Sequence, residues 1–506
     1  MHILQWLAVP QTYWAIAIFF LSLWALYALR SLQLTSAWAR RYDRAVFVVL
    51  TLAAVMALRW PLLFIPGSLN PDEAQMGAQA LKAAVDVLPW HGFDGSTGGP
   101  FDSYVLALPL LFGTTLTFFW IHLIATLLGV ATICALAAGA EALCGVRIGR
   151  AAAVVPLTFF ALMHDQDFWH YSSELLPVLL ATIALAILAF EGARGVSRTS
   201  LVLAGVCLGV IPFAKLQTTP IAVYLALLFG AVLLLRGSDV AANRRRLGVF
   251  ASAFLGTIIA VIAVVAVSGS LPDAYVSYIG VGLRYSQAGD PPGLTYFFAA
   301  TPGYQPFAWG TFALLVAAAV CAVAAKPANR DLCAIAAMAG LVAVSLACVI
   351  APHRAFPHYV TLLVVPIAAL LAVLLAAAAR LRVDLRGLTQ VKPYLPLALC
   401  VLAVLLPTAA KNISIGNPFL GSVSQLDAPN DPVVNTLRSN VSLGATMAVW
   451  GWMPQYYVYT RTRMATKDAV TYYEIAPGTY RDYYRQRYLS SFLAHRPGLF
   501  VDAVAP

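Results

Sequence analysis

An acidic pair opens one hydrophilic stretch of the chain. Asn70-Pro71-Asp72-Glu73-Ala74 follows directly on a long apolar run. In structural terms Asn70 is an N-cap, Pro71 sits at N1, and Glu73 at N3 completes a capping pattern. Two carboxylates at a helix N-terminus at the membrane surface stay ionised, because the helix dipole favours the anion. A carboxylate held anionic beside an apolar cleft suits a general base that takes a proton from a hydroxyl. Both roles fit together: the cap positions the acid, and the acid reacts. Asp72 and Glu73 are therefore the candidate catalytic residues.

A second polar cluster runs His164-Asp165-Gln166-Asp167-Phe168-Trp169-His170-Tyr171-Ser172-Ser173-Glu174. Its His and carboxylates could bind a divalent metal, with Asp72, Glu73, Asp165 and His170 as the ligand set. The spacing matches no established ligand pattern, so contact with substrate is the preferred reading. His164, Asp165, Asp167, His170, Tyr171 and Glu174 are then expected to orient an acceptor. Cations near these acids are few. Lys215 lies in a tight turn between two apolar runs, where it could also simply snorkel. Arg284 follows Tyr275 and Tyr278, and Arg354 and His358 share Pro352-His353-Arg354-Ala355-Phe356-Pro357-His358-Tyr359. Arg59, inside an apolar run, would cost about 2.5–3.5 kcal/mol at mid-membrane and must snorkel or meet an anion. A base facing a group of cations at phosphate depth is what displacing a lipid-phosphate leaving group requires.

The elements that must position these residues are membrane spans. Hydrophobic residues make up 61% of 506 positions and charged residues 11%, with mean hydropathy +0.79. A water-soluble chain needs about a quarter charged residues, so this composition is solvated by lipid. Twelve spans are expected, at 12–29, 45–66, 118–142, 149–163, 175–190, 199–216, 217–235, 248–268, 306–325, 332–351, 360–380 and 393–410. The first lacks the flanks of a cleaved signal and reads as a retained span.

Segments 30–44, 147–150, 191–198, 236–247, 326–331 and 380–392 carry 18 Lys and Arg, whereas loops 67–103, 164–174, 269–305 and 352–359 carry three. The positive-inside rule puts the first set in the cytoplasm and the second outside. The net charge of +10 is thus spread over cytoplasmic clusters, which argues against nucleic acid as a partner. All seven Cys fall within or at the ends of apolar runs, so the hydrophilic loops hold no disulfide framework or Cys-based metal site. Residues 104–114 are apolar but too short to span and are expected in the interface. The chain divides into a transmembrane catalytic unit, 1–410, and a small extracytoplasmic α/β domain, 411–506. In the latter, strands are expected near 446–452 and 499–504, with a helix near 479–495.

These residues resemble the integral-membrane GT-C glycosyltransferases, particularly the bacterial relatives of protein O-mannosyltransferases and of the lipid A aminoarabinose transferase. The resemblance rests on Asp72-Glu73-Ala74, a short interfacial helix entered through Gly99-Pro100 with Ser103-Tyr104, and the Lys215 turn. It also rests on His358-Tyr359 with Pro366, and on the tail stretch from Val449 to Tyr459. It implies an α-helical polytopic fold in the bacterial inner membrane. The implied activity is inverting transfer of a sugar from a polyprenyl-phosphate donor to a hydroxyl of a lipid, glycan or protein. Asp72 would be the base, and Lys215, Arg284, Arg354 and His358 would hold the donor phosphate. Asp102 and Tyr104 would join the acceptor-orienting group. Lipid A transferases often carry Lys-Pro where this chain has Gly99-Pro100, so one phosphate contact is absent or supplied by Lys215. Two other classes share such a topology. Secondary transporters and lipid flippases place ionisable residues at the midplane, often in two related halves. Lipid-linked polysaccharide ligases and polymerases rely on Arg and His in a large late loop.

Overall fold

The computed structural model describes residues 2–29, 37–95, 98–235, 239–287, 289–379, 395–424, 431–442 and 445–504. The basic segment 380–392 and parts of 30–44 and 236–247 lie outside the described residues. Among those described, ten helices are long and apolar enough to cross a membrane: Pro10–Leu29, Tyr42–Phe64, Phe118–Cys144, Leu175–Arg194, Leu216–Leu235, Val240–Val267, Gln305–Ala324, Asn329–Ile350, Pro357–Ala378 and Ala398–Ile415. The other two expected spans are shorter. Arg198–Ala214 has 17 residues, ending where Lys215 adopts an extended backbone. The run at 149–163 is split into Val146–Ala152 and Val154–Leu162. Pro156 accounts for the break: it has no N–H to donate, and its ring crowds the Ala152 carbonyl four residues back.

Pro357–Ala378 is the central helix. In its apolar window 83% of residues are buried, against 11% for Val240–Val267 at the periphery. That gradient decides which helix can carry a site: the first turn of the central one, with His358 and Tyr359, is enclosed on all sides.

At one end of the bundle two short helices lie outside the spans. Asn70 caps Pro71–Ala83, accepting from Asp72 N at 2.9 Å, with Pro71 at N1 as expected. Gly99 and Pro100 open Pro100–Leu111, which docks on the first through Ser103 Oγ donating to Gln79 Oε1 at 3.1 Å. Gly99 N donates to Ala214 O at 2.7 Å, and a Cβ at position 99 would run into the Phe213 carbonyl. A side chain there is sterically excluded by the turn that presents Lys215.

The C-terminal segment packs on the same end. A three-stranded parallel sheet has the order β2-β1-β3, with β1 Thr446–Gly451, β2 Arg463–Met464 and β3 Leu499–Ala503. Register runs from Met447 opposite Leu499 to Gly451 opposite Ala503, and the helix Arg481–His495 makes the crossover. The central strand β1, the edge strand β3 and that helix match the expectation; β2, two residues long, is too short to leave a periodic signal. Arg487 ties the sheet to the bundle. Its Nη2 lies 2.5 Å from Asp94 Oδ2 and also meets Asp468, while Nη1 is 3.6 Å from Asp273 Oδ1. Lys467 Nζ reaches Asp273 Oδ2 at 2.7 Å and Trp90 O at 3.3 Å.

Beside this latch, buried Glu474 has no hydrogen-bond partner for either carboxylate oxygen. Burial and the neighbouring Asp468 push its pKa from the ordinary 4.5 up to about 9. A carboxyl raised in the folded state favours folding fully below its unfolded value, and that contribution is lost as pH rises through the folded one. The full chain is therefore expected to lose thermal stability between about pH 4.5 and 9. Glu474→Gln, which stays neutral, should flatten that decline when unfolding temperature is followed against pH.

Candidate active site

Asp72 and Glu73 have opposite fates although they are adjacent. Glu73 is fully buried. Its Oε1 accepts from Leu69 N and lies 3.3 Å from His122 Nε2, and its Oε2 accepts from Tyr171 N at 3.0 Å. Burial disfavours the charge, but His122, His170 and the amide donors outweigh it and hold the carboxyl below its usual range. The expected capping box is thus displaced by one residue: Glu73 reaches back to Leu69 N instead of the N-cap amide. Asp72, one position earlier on the first turn, is exposed and its carboxylate is uncommitted to any backbone donor. Its charge is near enough to act on His170, Tyr285 and Tyr473. Glu73 locks the turn; Asp72 is presented by it.

The 164–174 cluster forms the opposite wall. Asp165 caps a single turn, Gln166–Trp169, accepting from Asp167 N at 2.9 Å. Asp167 is bridged to the Asp72 turn by Asn70 Nδ2, 3.1 Å from its Oδ1, and its Oδ2 stands 3.6 Å from His358 Nδ1. Burial works against ionisation of Asp167, but His358 and Asn70 overcome it and lower its pKa. His170 Nδ1 donates to Gln166 O at 3.1 Å, and its ring meets that of His358 edge to face at 5.3 Å. Tyr171 OH donates to Asp102 Oδ1 at 3.0 Å. Burial raises the Asp102 pKa well above its ordinary value, which favours the protonated acid.

Lys215 is paired, not free. Its ammonium meets Glu174, donates to Ser173 Oγ at 2.8 Å, and lies 5.0 Å from the Tyr359 ring. Burial opposes the charge on Glu174, yet Lys215 and His358 keep its carboxyl below the usual range. Arg354 stacks on Tyr285 at 4.8 Å. Tyr285 lies beside Tyr359, so Arg354 and Lys215 both approach this pair of rings.

Among these residues several buried polar atoms have no hydrogen-bond partner: Arg354 Nε, His358 Nδ1, His170 Nε2, Glu174 Oε2 and Asp102 Oδ2. An unpaired buried polar group costs about 1–3 kcal/mol. Five such atoms on neighbouring side chains call for a polar molecule or water to satisfy them.

Three expected residues lie elsewhere. His164 is buried among Trp14, Trp169 and Tyr13, whose OH is 3.3 Å from His164 Nε2. Burial and Arg59 push its pKa down to about 3, so it is a neutral packing residue. Tyr104 OH donates to Val87 O at 2.5 Å, between the rings of Phe93 and Phe101. Arg284 donates to Thr479 Oγ1 and stacks on Tyr480 at 5.3 Å, holding the C-terminal segment. Arg59, expected to snorkel or find an anion, instead donates to two carbonyls, Phe160 O at 3.1 Å and Trp169 O at 2.6 Å. It holds Trp169, the cluster's sixth residue, and Phe160 of the preceding helix from behind.

The metal set also needs correction. Among the described residues no three His, Cys, Asp or Glu converge in a way that could hold an ion. Both Glu73 oxygens are engaged by amides and His122, and Asp165 is spent on its cap. Asp72, Glu73, Asp165 and His170 therefore do not fit a metal together.

His122 was not singled out from sequence. It is fully buried in Phe118–Cys144, with Nδ1 3.0 Å from Leu62 O and Nε2 against Glu73. An ionisable residue within an apolar span is a signal in its own right; here it supports the acidic turn through Glu73.

The order of spans, the two short helices at one end and the sheet that covers them define a GT-C-like multi-pass membrane fold. The structure of ArnT from Cupriavidus metallidurans bound to undecaprenyl phosphate is similar, with TM-score 0.58 at 14% identity over 92% of this chain and 90% of that one. The same protein in the apo state gives TM-score 0.57 at 15% identity, over 88% and 90%. An oligosaccharyltransferase from Archaeoglobus fulgidus, tethered with an acceptor peptide, falls to 0.49 at 11% identity, over 89% of this chain and 68% of that one. No family model matches the chain, and no curated protein matches it by sequence. At these identities the likeness is one of fold.

Proposed function

We propose that the chain is an inverting glycosyltransferase. It moves a sugar from a polyprenyl-phosphate donor to an acceptor hydroxyl on the extracytoplasmic face of the bacterial inner membrane. In this reading residues 1–410 form the catalytic unit and 411–506 an extracytoplasmic domain that closes over it. Asp72 takes the hydroxyl proton as the oxygen attacks the anomeric carbon from the side opposite the phosphate. The glycosyl–oxygen bond to phosphate breaks, and the leaving phosphate keeps the electron pair. Arg354, His358 and Lys215 offset its charge. Asp102, in its protonated form, offers a donor to the acceptor or sugar from Oδ2 while Tyr171 holds its other oxygen, and Asp167 holds His358 in place. The acceptor class, whether lipid, glycan or protein, follows from groups outside this set.

The observation that carries this reading is the set of unpartnered buried polar atoms on Arg354, His358, His170, Glu174 and Asp102, on segments tied to the Asp72 turn through Asn70 and Asp167. A transporter would need such groups at mid-membrane along a path; here they cluster at one end, outside or at the first turns of the spans.

The test is a product assay. Purified full-length chain in liposomes, given polyprenyl-phosphate-linked sugars and a cell-envelope lipid extract, should release polyprenyl phosphate and form a glycoside of inverted anomeric configuration. Movement of the lipid across the bilayer with no glycosidic product would favour a flippase instead.

A further inference from the structure

At the other end of the bundle lies a cavity unconnected to this chemistry. It encloses about 310 Å³ between the far halves of Phe118–Cys144, Leu175–Arg194, Leu216–Leu235, Asn329–Ile350 and Pro357–Ala378. Its residues on Leu175–Arg194, from Thr182 to Gly192, lie roughly 12–27 Å beyond Glu174 at the helical rise of about 1.5 Å per residue. No Asp, Glu, Lys, Arg or His lines it. Thr182 is its one hydroxyl, and that is spent on Val178 O at 2.6 Å. Such a space excludes water and polar solutes, because neither finds a partner there. Its volume is at the lower end of ligand sites, about 300–1,000 Å³. Leu143 and Leu235 on its rim are exposed, so it opens sideways to hydrocarbon.

The rim supplies charge. Arg194 follows Gly192 by two residues, is exposed, and lies 4.8 Å over the Phe190 ring. Arg330 precedes Cys333 by three residues, on the same helical face, and is exposed too. The acids at this end are engaged: Asp331 accepts from Ala328 N at 3.1 Å as a cap, Glu141 pairs with Arg150 at 2.9 Å and Glu191 with Arg246 at 2.6 Å. An apolar chamber below two arginines matches a molecule with a hydrocarbon tail and an anionic head. Basic pockets between transmembrane helices bind anionic lipid headgroups on this physical basis.

We propose that this cavity is a binding site for an anionic phospholipid of the leaflet opposite the active site, one acyl chain in the chamber and the phosphate at Arg194 and Arg330. The inference stands apart from the proposed reaction and does not need it.

The test uses the full chain in nanodiscs of equal parts phosphatidylglycerol and phosphatidylethanolamine, followed by native mass spectrometry. Phosphatidylglycerol should be retained in preference. Ala189→Trp, which fills the chamber, should abolish the retained lipid. Arg194→Gln and Arg330→Gln should each weaken it roughly fivefold, the effect of one basic residue at an anionic surface. These two sites are exposed, so the arginine variants decide the matter if the Trp variant does not fold. Equal retention of both lipids, retention unchanged in the arginine variants, or displacement by added polyprenyl phosphate would overturn the proposal.

Discussion

Asp72→Asn is expected to lower turnover by about 10²–10⁴-fold, the usual contribution of a positioned general base, while leaving binding of polyprenyl phosphate nearly unchanged. The asparagine keeps the shape and leaves the Asn70 cap in place, since that bond uses the Asp72 backbone amide. What disappears is the proton acceptor. Glu73→Gln is the informative contrast. Both Glu73 oxygens accept from backbone amides, so a glutamine would turn an NH₂ donor against another donor in a fully buried place. That variant should lose stability by about 1–3 kcal/mol and lose activity only as far as the turn is disturbed. Turnover at saturating donor, measured beside unfolding temperature, separates the two. An active Asp72→Asn enzyme would remove Asp72 from the reaction.

Lys215→Ala should weaken donor-lipid binding more than acceptor binding, and it should also destabilise the protein. Removing one partner of a buried ion pair typically costs about 3–5 kcal/mol, because the other charge is left unpaired. Here that charge is Glu174, fully buried, with Oε2 already lacking a partner. The double variant Lys215→Ala with Glu174→Gln removes the stranded carboxylate and should recover most of the stability. Donor affinity should stay low in the double variant, since the cation is still missing. Donor binding followed by a labelled polyprenyl phosphate, with unfolding measured in parallel, reads both effects. Recovery of donor affinity along with stability would make Lys215 a structural partner of Glu174 and no part of the phosphate site.

The long spans, the capped acidic turn and the strands β1 and β3 were legible in the sequence because each is a local signal: an apolar run, an Asn-Pro-Asp-Glu start, an alternating stretch. What pairs with what was not legible. The acidic pair reads as two equivalent carboxylates; only packing makes Glu73 a buried acceptor and leaves Asp72 presented. Lys215 reads as a free cation because its partner Glu174 sits 41 positions earlier. Arg487 and Asp94, 393 positions apart, join the sheet to the bundle with no trace in local pattern. His164 belongs by position to the polar cluster, yet its peptide turns it toward Tyr13 and Trp14. Gly99 looked like a missing lysine, and the fold shows why no side chain fits there.

One structure would test the central claim directly: the full-length chain in nanodiscs, imaged by cryo-electron microscopy with polyprenyl phosphate bound. The account predicts the phosphate in contact with Arg354 Nε and His358 Nδ1 and within reach of Lys215, with the Asp72 carboxylate across from it. A phosphate bound away from these side chains, with those atoms met only by water, would contradict it.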